Sequence, residues 1–288
     1  MISIIYLLGF YMKLSQCKNE KYDIIILAGQ SNAEGCGLGE VENEFQPNEL
    51  IHSLCDHATY EYKKYDDGRD YLDINYPSEK YIEITKENLN DKGEKLGSLA
   101  TSFALKYIAD GRLEKGRKLL LIKAGIGGSG FYRPEWGVGN VLYNRVVDFT
   151  QTALSLNKEN RVVAFLWHQG EHDTFEGSAF SFEEKYRWHY FRLRKQIETF
   201  YNKFKISVPF ITAEFCKEWY EKDIPRNESI LKAIKDVAYD LKGEVVETKD
   251  LLSNNQEVNN EDDIHFSRQS QYILGERFYD AFVKCLNK

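Results

Sequence analysis

The chain has 288 residues, 42% of them hydrophobic and 29% charged, which is enough apolar material for a sizeable core and too much for a disordered chain. Its formal net charge of −7, with no long basic run or basic–aromatic stripe, argues against nucleic acid as a partner. Five cysteines, odd in number, widely spaced and without a C-x-x-C pair, point to reduced thiols rather than a disulfide framework.

The N-terminal stretch Ile2–Met12 is apolar but lacks a basic flank before it and an A-x-A site after it, so it makes a poor signal peptide. It is also too short to span a bilayer, and no membrane span is expected. Leu14-Ser15-Gln16-Cys17 has the outline of a lipoprotein cleavage site, against which Gln16 counts. The reading favours translation from Met12 and a cytoplasmic protein; export through Met1–Cys17 would instead make it secreted. Residues 1–21 are set apart as a segment without assigned structure. Residues 22–288, which show no repeat and no linker, are read as one domain.

Strand-like apolar runs recur along the chain: Ile24–Ala28, Leu119–Ile122, Val162–Trp167, Val208–Thr212 and Val245–Val246. Between them lie helical periodicities. Ala100, Phe103, Ala104, Tyr107 and Ile108 form one set, and Phe182, Tyr186, Tyr190, Leu193, Ile197 and Phe200 a second. Ile230, Ile234, Val237 and Leu241 belong to a third. Leu274, Phe278, Phe282 and Cys285 make a fourth, with Ser267 placed to cap it. Strands alternating with helices predict an α/β fold with a mainly parallel sheet covered on both faces. Glu40–Lys95 breaks the alternation. It is acidic, rich in Tyr, Asn and Asp, and reads equally as a lip facing the substrate or as a solvated insertion with a few short strands.

Three stretches follow the carboxyl ends of predicted strands: Gly29-Gln30-Ser31-Asn32-Ala33-Glu34-Gly35, Ala124-Gly125-Ile126-Gly127-Gly128-Ser129-Gly130 and Trp167-His168-Gln169-Gly170-Glu171-His172-Asp173. In a parallel sheet these ends converge on one edge, where such folds place their chemistry. A fourth piece, Asp262-Asp263-Ile264-His265, precedes the last helix and could return to that edge. Acyl transfer needs a nucleophile, a base, an orienter for the base, and donors aimed at the developing oxyanion. Ser31 would attack, His265 would take its proton, and Asp262 would hold the imidazole. Gly127 and Gly128 let backbone N–H groups approach a substrate oxygen, and Gln169 can add a side-chain donor.

G-Q-S-N-A-E-G, the I-G-G-S turn, W-H-Q-G-E-H-D and D-D-I-H resemble, in order and over nearly the whole chain, the block pattern of SGNH hydrolases. The branch they resemble is the sialate O-acetylesterase and acetylxylan esterase group, carbohydrate esterase family six. The resemblance implies a three-layer α/β/α sandwich of flavodoxin-like type and metal-free, cofactor-free removal of O-acetyl groups from a carbohydrate such as acetylxylan or acetylated sialic acid. It implies Ser31, Asp262 and His265 as the triad. It implies oxyanion donors from the Ser31 backbone, from Gly127 or Gly128, and from Gln169. Gln30, Asn32 and Glu171 would be supporting residues, Glu171 bracing the loops. Two positions depart from the pattern: His172 stands where Ser is common, and Asp263 replaces the usual Gly after the triad Asp, so that Asp263 is a fallback orienter.

Two other readings compete with the esterase. His168-Gln169-Gly170-Glu171-His172 matches H-x-x-E-H, a zinc-hydrolase signature that needs a helix to align both His; a strand precedes it and Gly170 interrupts it. A carbohydrate-binding protein on a retired hydrolase scaffold is the other, against which the complete set Ser31, Asp262, His265 and Gln169 counts. Trp167 reads as core, whereas Phe131, Tyr132 and Trp136 serve equally as pocket lining or packing.

Overall fold

A computed structural model describes residues 11–288 except 67, 69, 77–78, 90–94, 134 and 178. The strands are β1 (Tyr11–Lys13), β2 (Tyr22–Gly29), β3 (Ile51–Cys55), β4 (Thr59–Lys64), β5 (Asp70–Asn75), β6 (Tyr81–Ile84), β7 (Asn88–Leu89), β8 (Lys95–Leu96), β9 (Lys118–Lys123), β10 (Arg161–His168), β11 (Phe210–Ala213) and β12 (Glu244–Val246). The helices are α1 (Ser31–Glu34), α2 (Leu99–Ala109), α3 (Val141–Leu156), α4 (Glu171–Phe175), α5 (Phe182–Phe204), α6 (Lys217–Lys222), α7 (Ile224–Asp240), α8 (Asn254–Val258) and α9 (Arg268–Leu286).

Eight strands form one sheet in the order β1-β6-β3-β9-β2-β10-β11-β12. From β3 to β12 every pairing is parallel, and β6 and β1 extend that edge antiparallel. β2 lies at the centre with all eight residues buried, which is why Ile24–Ala28 is a continuous apolar run rather than an alternating one. Each fully buried Ile or Leu of that run contributes roughly 1.5–3 kcal/mol. Helices α2 and α9 pack together on one face of the sheet, and α5 and α7 on the other. On that second face α3 joins them, its Tyr143 and Val146 meeting Ile197 and Phe200 of α5 over Phe165. The result is the three-layer α/β/α arrangement that the strand–helix alternation predicts.

Three differences from the sequence reading stand out. Helix α3 carries no expectation there; its Val, Thr and Asn residues are weak helix formers, and packing of Leu142, Val146, Phe149 and Ala153 against the sheet offsets that weakness. The excursion after residue 40 is not merely a solvated insertion, because β3 and β6 join the main sheet while β4 and β5 form a separate hairpin. Within residues 1–21, to which the sequence reading assigns no structure, Tyr11–Lys13 pairs with β6 and Cys17 is fully buried; Met1–Phe10 lie outside the described residues. No helix among the described residues is long and apolar enough to cross a membrane.

Candidate active site

Strand β2 delivers the candidate nucleophile. Gly29 ends it at φ +138°, and a side chain there would meet the carbonyl oxygen of His168 at 1.9 Å, so only glycine lets β2 and β10 run this close. The chain then turns: the Gln30 N–H donates to His168 O (2.9 Å), and Ser31 opens the single-turn helix α1. Gln30 Oε1 accepts the N–H groups of Gly170 and His172, both at 3.2 Å, which pins the turn to the loop after β10.

The Ser31 hydroxyl lies 2.8 Å from His265 Nε2, and His265 Nδ1 lies 2.8 Å from Asp262 Oδ2. Burial pushes the Asp262 carboxyl up, but hydrogen bonds from His265 and Asn254 outweigh it and hold it below the ordinary Asp value. Asn254 is absent from the sequence reading. Its amide donates to Asp262 Oδ2 and to Cys36 O, both at 2.8 Å, and it opens α8 behind a Ser253–Gln256 capping box. That S-x-x-Q spacing is the one local signal that marked the site of the turn. Asp263, the fallback orienter, points away and pairs with Lys222.

Asn32 and Glu171 join the nucleophile to the base. Asn32 Nδ2 donates to Glu171 Oε1 (2.8 Å) and Ile264 O (3.1 Å), while its Oδ1 accepts from the Phe266 N–H and Gln271 Nε2, both at 3.1 Å. Glu171 is fully buried, with His168 Nδ1 3.3 Å from Oε1. Burial alone would raise its carboxyl; the His168 ring and the Asn32 amide outweigh that and hold it low. Both residues thus hold the Ser31 turn against the His265 loop.

The glycine turn after β9 lies against Ser31. A side-chain carbon added to Gly127 would sit 3.6 Å from Ser31 Cβ, whereas one added to Gly128 would meet only Tyr62. Gly127 is therefore the one facing the nucleophile. Its N–H donates to Glu34 Oε2 at 2.7 Å, and its carbonyl accepts from the Tyr62 hydroxyl at 3.0 Å.

Gln169 differs from expectation. Its Nε2 donates to Asp173 Oδ2 (2.8 Å) and lies 3.4 Å from Ser129 O, so the amide nitrogen braces the turn rather than facing Ser31. The cause is Asp173, a fully buried carboxylate that collects donors, the N–H groups of Phe131 and Tyr132 and the Gln169 amide, with His189 Nδ1 3.2 Å away. Gly130 is glycine because a Cβ would fall 2.4 Å from Asp173 Oδ1. Asp173 closes the third block of the sequence but carries no role in that reading.

The two His of H-x-x-E-H diverge. His168 ends β10 and faces Glu171 and Glu214 O (3.3 Å), while His172 lies in α4 and contacts Glu176 at 3.2 Å. No group of three His, Cys, Asp or Glu placed to hold a metal occurs among the described residues. Trp167, Phe131 and Trp136 are buried, and Tyr132 stacks on Trp188 with ring centroids 4.2 Å apart. On the other side of Glu34, a cavity of about 680 Å³ opens at the carboxyl ends of β3 and β9, lined among others by Ser53, Tyr60, Lys123, Ile126 and Arg145.

Two solved structures are similar to this chain in fold. NanS shares the fold at a TM-score of 0.66 with 17% identity, covering 93% of this chain and 98% of its own. XAC1771, a carbohydrate acetylesterase from Xanthomonas citri, follows at 0.56 and 13%, covering 90% of this chain and 55% of its own. No curated protein sequence matches the chain. The sequence profile of the carbohydrate esterase, sialic acid-specific acetylesterase family (SASA) matches residues 21–284. The chain belongs to that family and is a carboxylic ester hydrolase that removes O-acetyl groups from carbohydrate.

Proposed function

We propose that deacetylation runs through Ser31, with His265 as base and acid and Asp262 as its orienter, on an O-acetylated sugar of the sialic acid type. The observation that carries the mechanism is the unbroken chain Asp262–His265–Ser31, with both hydrogen bonds at 2.8 Å. Ser31 Oγ attacks the acetyl carbonyl while His265 Nε2 takes its proton. The carbonyl oxygen gains the charge and is met by the N–H groups of Ser31 and Gly127. The bond from the acetyl carbon to the sugar oxygen then breaks, and His265 returns the proton to that oxygen. Water repeats the sequence on acetyl-Ser31, releasing acetate. Asp262 keeps the proton of Nδ1 facing itself, so that Nε2 presents its lone pair to Ser31. The sugar type rests on the family description and on the likeness to NanS.

The test is acetate release from 4-nitrophenyl acetate, an O-acetylated sialic acid and acetylxylan, with chelator present throughout, by wild type and Ser31→Ala. The expected outcome is chelator-resistant turnover, fastest on the sialic acid ester, that falls roughly 10⁶-fold in kcat in the variant. Turnover undiminished in folded Ser31→Ala would end the serine mechanism. A preference for acetylxylan would reassign the sugar.

A further inference from the structure

Glu34 stands three residues after Ser31, and its carboxylate holds the N–H of Gly127, the glycine beside the nucleophile. Oε2 accepts the Gly127 N–H at 2.7 Å, and Oε1 accepts the Tyr60 hydroxyl at 2.6 Å. The space is shared: a carbon added to Gly127 would lie 3.2 Å from Glu34 Oε2 and 3.6 Å from Ser31 Cβ. One N–H cannot serve two acceptors at full strength. An ester carbonyl arriving at Ser31 therefore competes with Glu34 for the Gly127 donor. Glu34 also lines the 680 Å³ cavity together with Arg145. Arg145 holds Asp56 through Nε and Nη2, while its buried Nη1 has no hydrogen-bond partner among the described residues. A displaced carboxylate thus has a cation waiting on the cavity side. Burial raises the Glu34 carboxyl, with Tyr60, Gly127 and Arg145 pulling against it, so its charge is held in place by the same contacts that displacement rearranges.

We propose that Glu34 is a specificity-determining residue, an internal occupant of the Gly127 N–H that substrate must displace before the oxyanion can form there. The inference rests on the Ser31 mechanism above. An ester that fills the cavity and engages its walls can drive the displacement with that binding, whereas a small ester cannot.

The experiment is steady-state hydrolysis of 4-nitrophenyl acetate by wild type, Glu34→Ala, Glu34→Gln and Tyr60→Phe, with Ser31→Ala as the reference for the mechanism itself. Glu34→Ala is expected to raise kcat/KM for this small ester roughly tenfold, the scale of a hydrogen bond to a charged group. Glu34→Gln, which keeps a neutral acceptor, and Tyr60→Phe, which loosens the carboxylate, should raise kcat/KM by less; they carry the test if Glu34→Ala does not fold. An unchanged or lowered kcat/KM would overturn the proposal and make Glu34 a support of the glycine turn. A Ser31→Ala protein that still turns over would instead remove the mechanism on which the proposal stands, whatever Glu34 does.

Discussion

On the side of β10 and α9, the residues around Ser31 are tied to one another through buried side chains. Asn32, Glu171, Gln30 and Gln271 form a web with almost no solvent access. On the side of the excursion, the glycine turn is approached by two hydroxyls from the β4–β5 hairpin, Tyr60 and Tyr62, both more than a third exposed. The first wall fixes the relation of nucleophile to base, where a small misplacement is costly in rate. The second touches Glu34 and the Gly127 carbonyl beside the proposed oxyanion donor, and its contacts can part without unfolding the sheet. Rigidity sits where the reacting groups are held, and yielding contacts sit where a substrate must enter.

The largest effect that would break this comparison lies on the rigid wall. Asp262→Asn keeps a side chain of the same shape but no longer holds the His265 tautomer, and kcat is expected to fall roughly 10⁴-fold. Asp263→Asn should change kcat less than about twofold, because Asp263 pairs with Lys222 instead. Equal losses from the two variants, measured as kcat on one acetyl ester, would mean that the orienter is not assigned by the geometry. Asn32→Ala comes next. It removes two donors and two acceptor contacts at once, leaving Glu171 buried without its amide partner. A loss of about 2–4 kcal/mol is expected, read as a fall in denaturation midpoint at constant slope. A loss below about 1 kcal/mol would show that the web is slack.

How much of this was legible follows the same division. The rigid wall was readable because its parts are short blocks of fixed spacing: Ser31, Asn32 and Glu171 sit in two motifs, and Asp262 and His265 in a third. The capture of the Gln169 amide by Asp173 was not, since it depends on which buried carboxylate meets which amide across the turn. Nor were Tyr60, Tyr62 and Glu34. Hairpin pairing brings the two tyrosines to α1 and the glycine turn from 26 and 65 residues away, with no local pattern to announce it.

Glu135 braces the end of the glycine turn, its carboxylate accepting the Gly130 N–H at 2.7 Å. Burial is the main cause that pushes it up from 4.5 to about 7. Below pH 4.5 both folded and unfolded chains hold this proton, and the group adds no pH dependence. Between 4.5 and 7 the unfolded chain releases the proton first, so stability falls as pH rises, and the penalty is complete above 7. Glu135→Gln keeps an acceptor for Gly130 and removes the titration. The variant should gain on the order of 3 kcal/mol over wild type between pH 4.5 and pH 8, judged by paired denaturant titrations. Parallel pH profiles would show that Glu135 titrates alike in both states.

The smallest expected effect tests the yielding wall directly. Tyr62→Phe deletes one hydroxyl, the donor to Gly127 O, and leaves the ring under Arg133, whose guanidinium carbon lies 5.3 Å from its centroid. A neutral hydrogen bond at a partly exposed site contributes about 0.5–1.5 kcal/mol, so kcat/KM should fall by roughly two- to tenfold. The denaturation midpoint should barely move, because neither β4 nor β5 belongs to the main sheet. That combination, a rate effect without a stability effect, separates a lip that shapes the oxyanion site from one that only covers it. A fall in stability with an unchanged rate would make the hairpin part of the scaffold, and the contrast between the two walls would be lost.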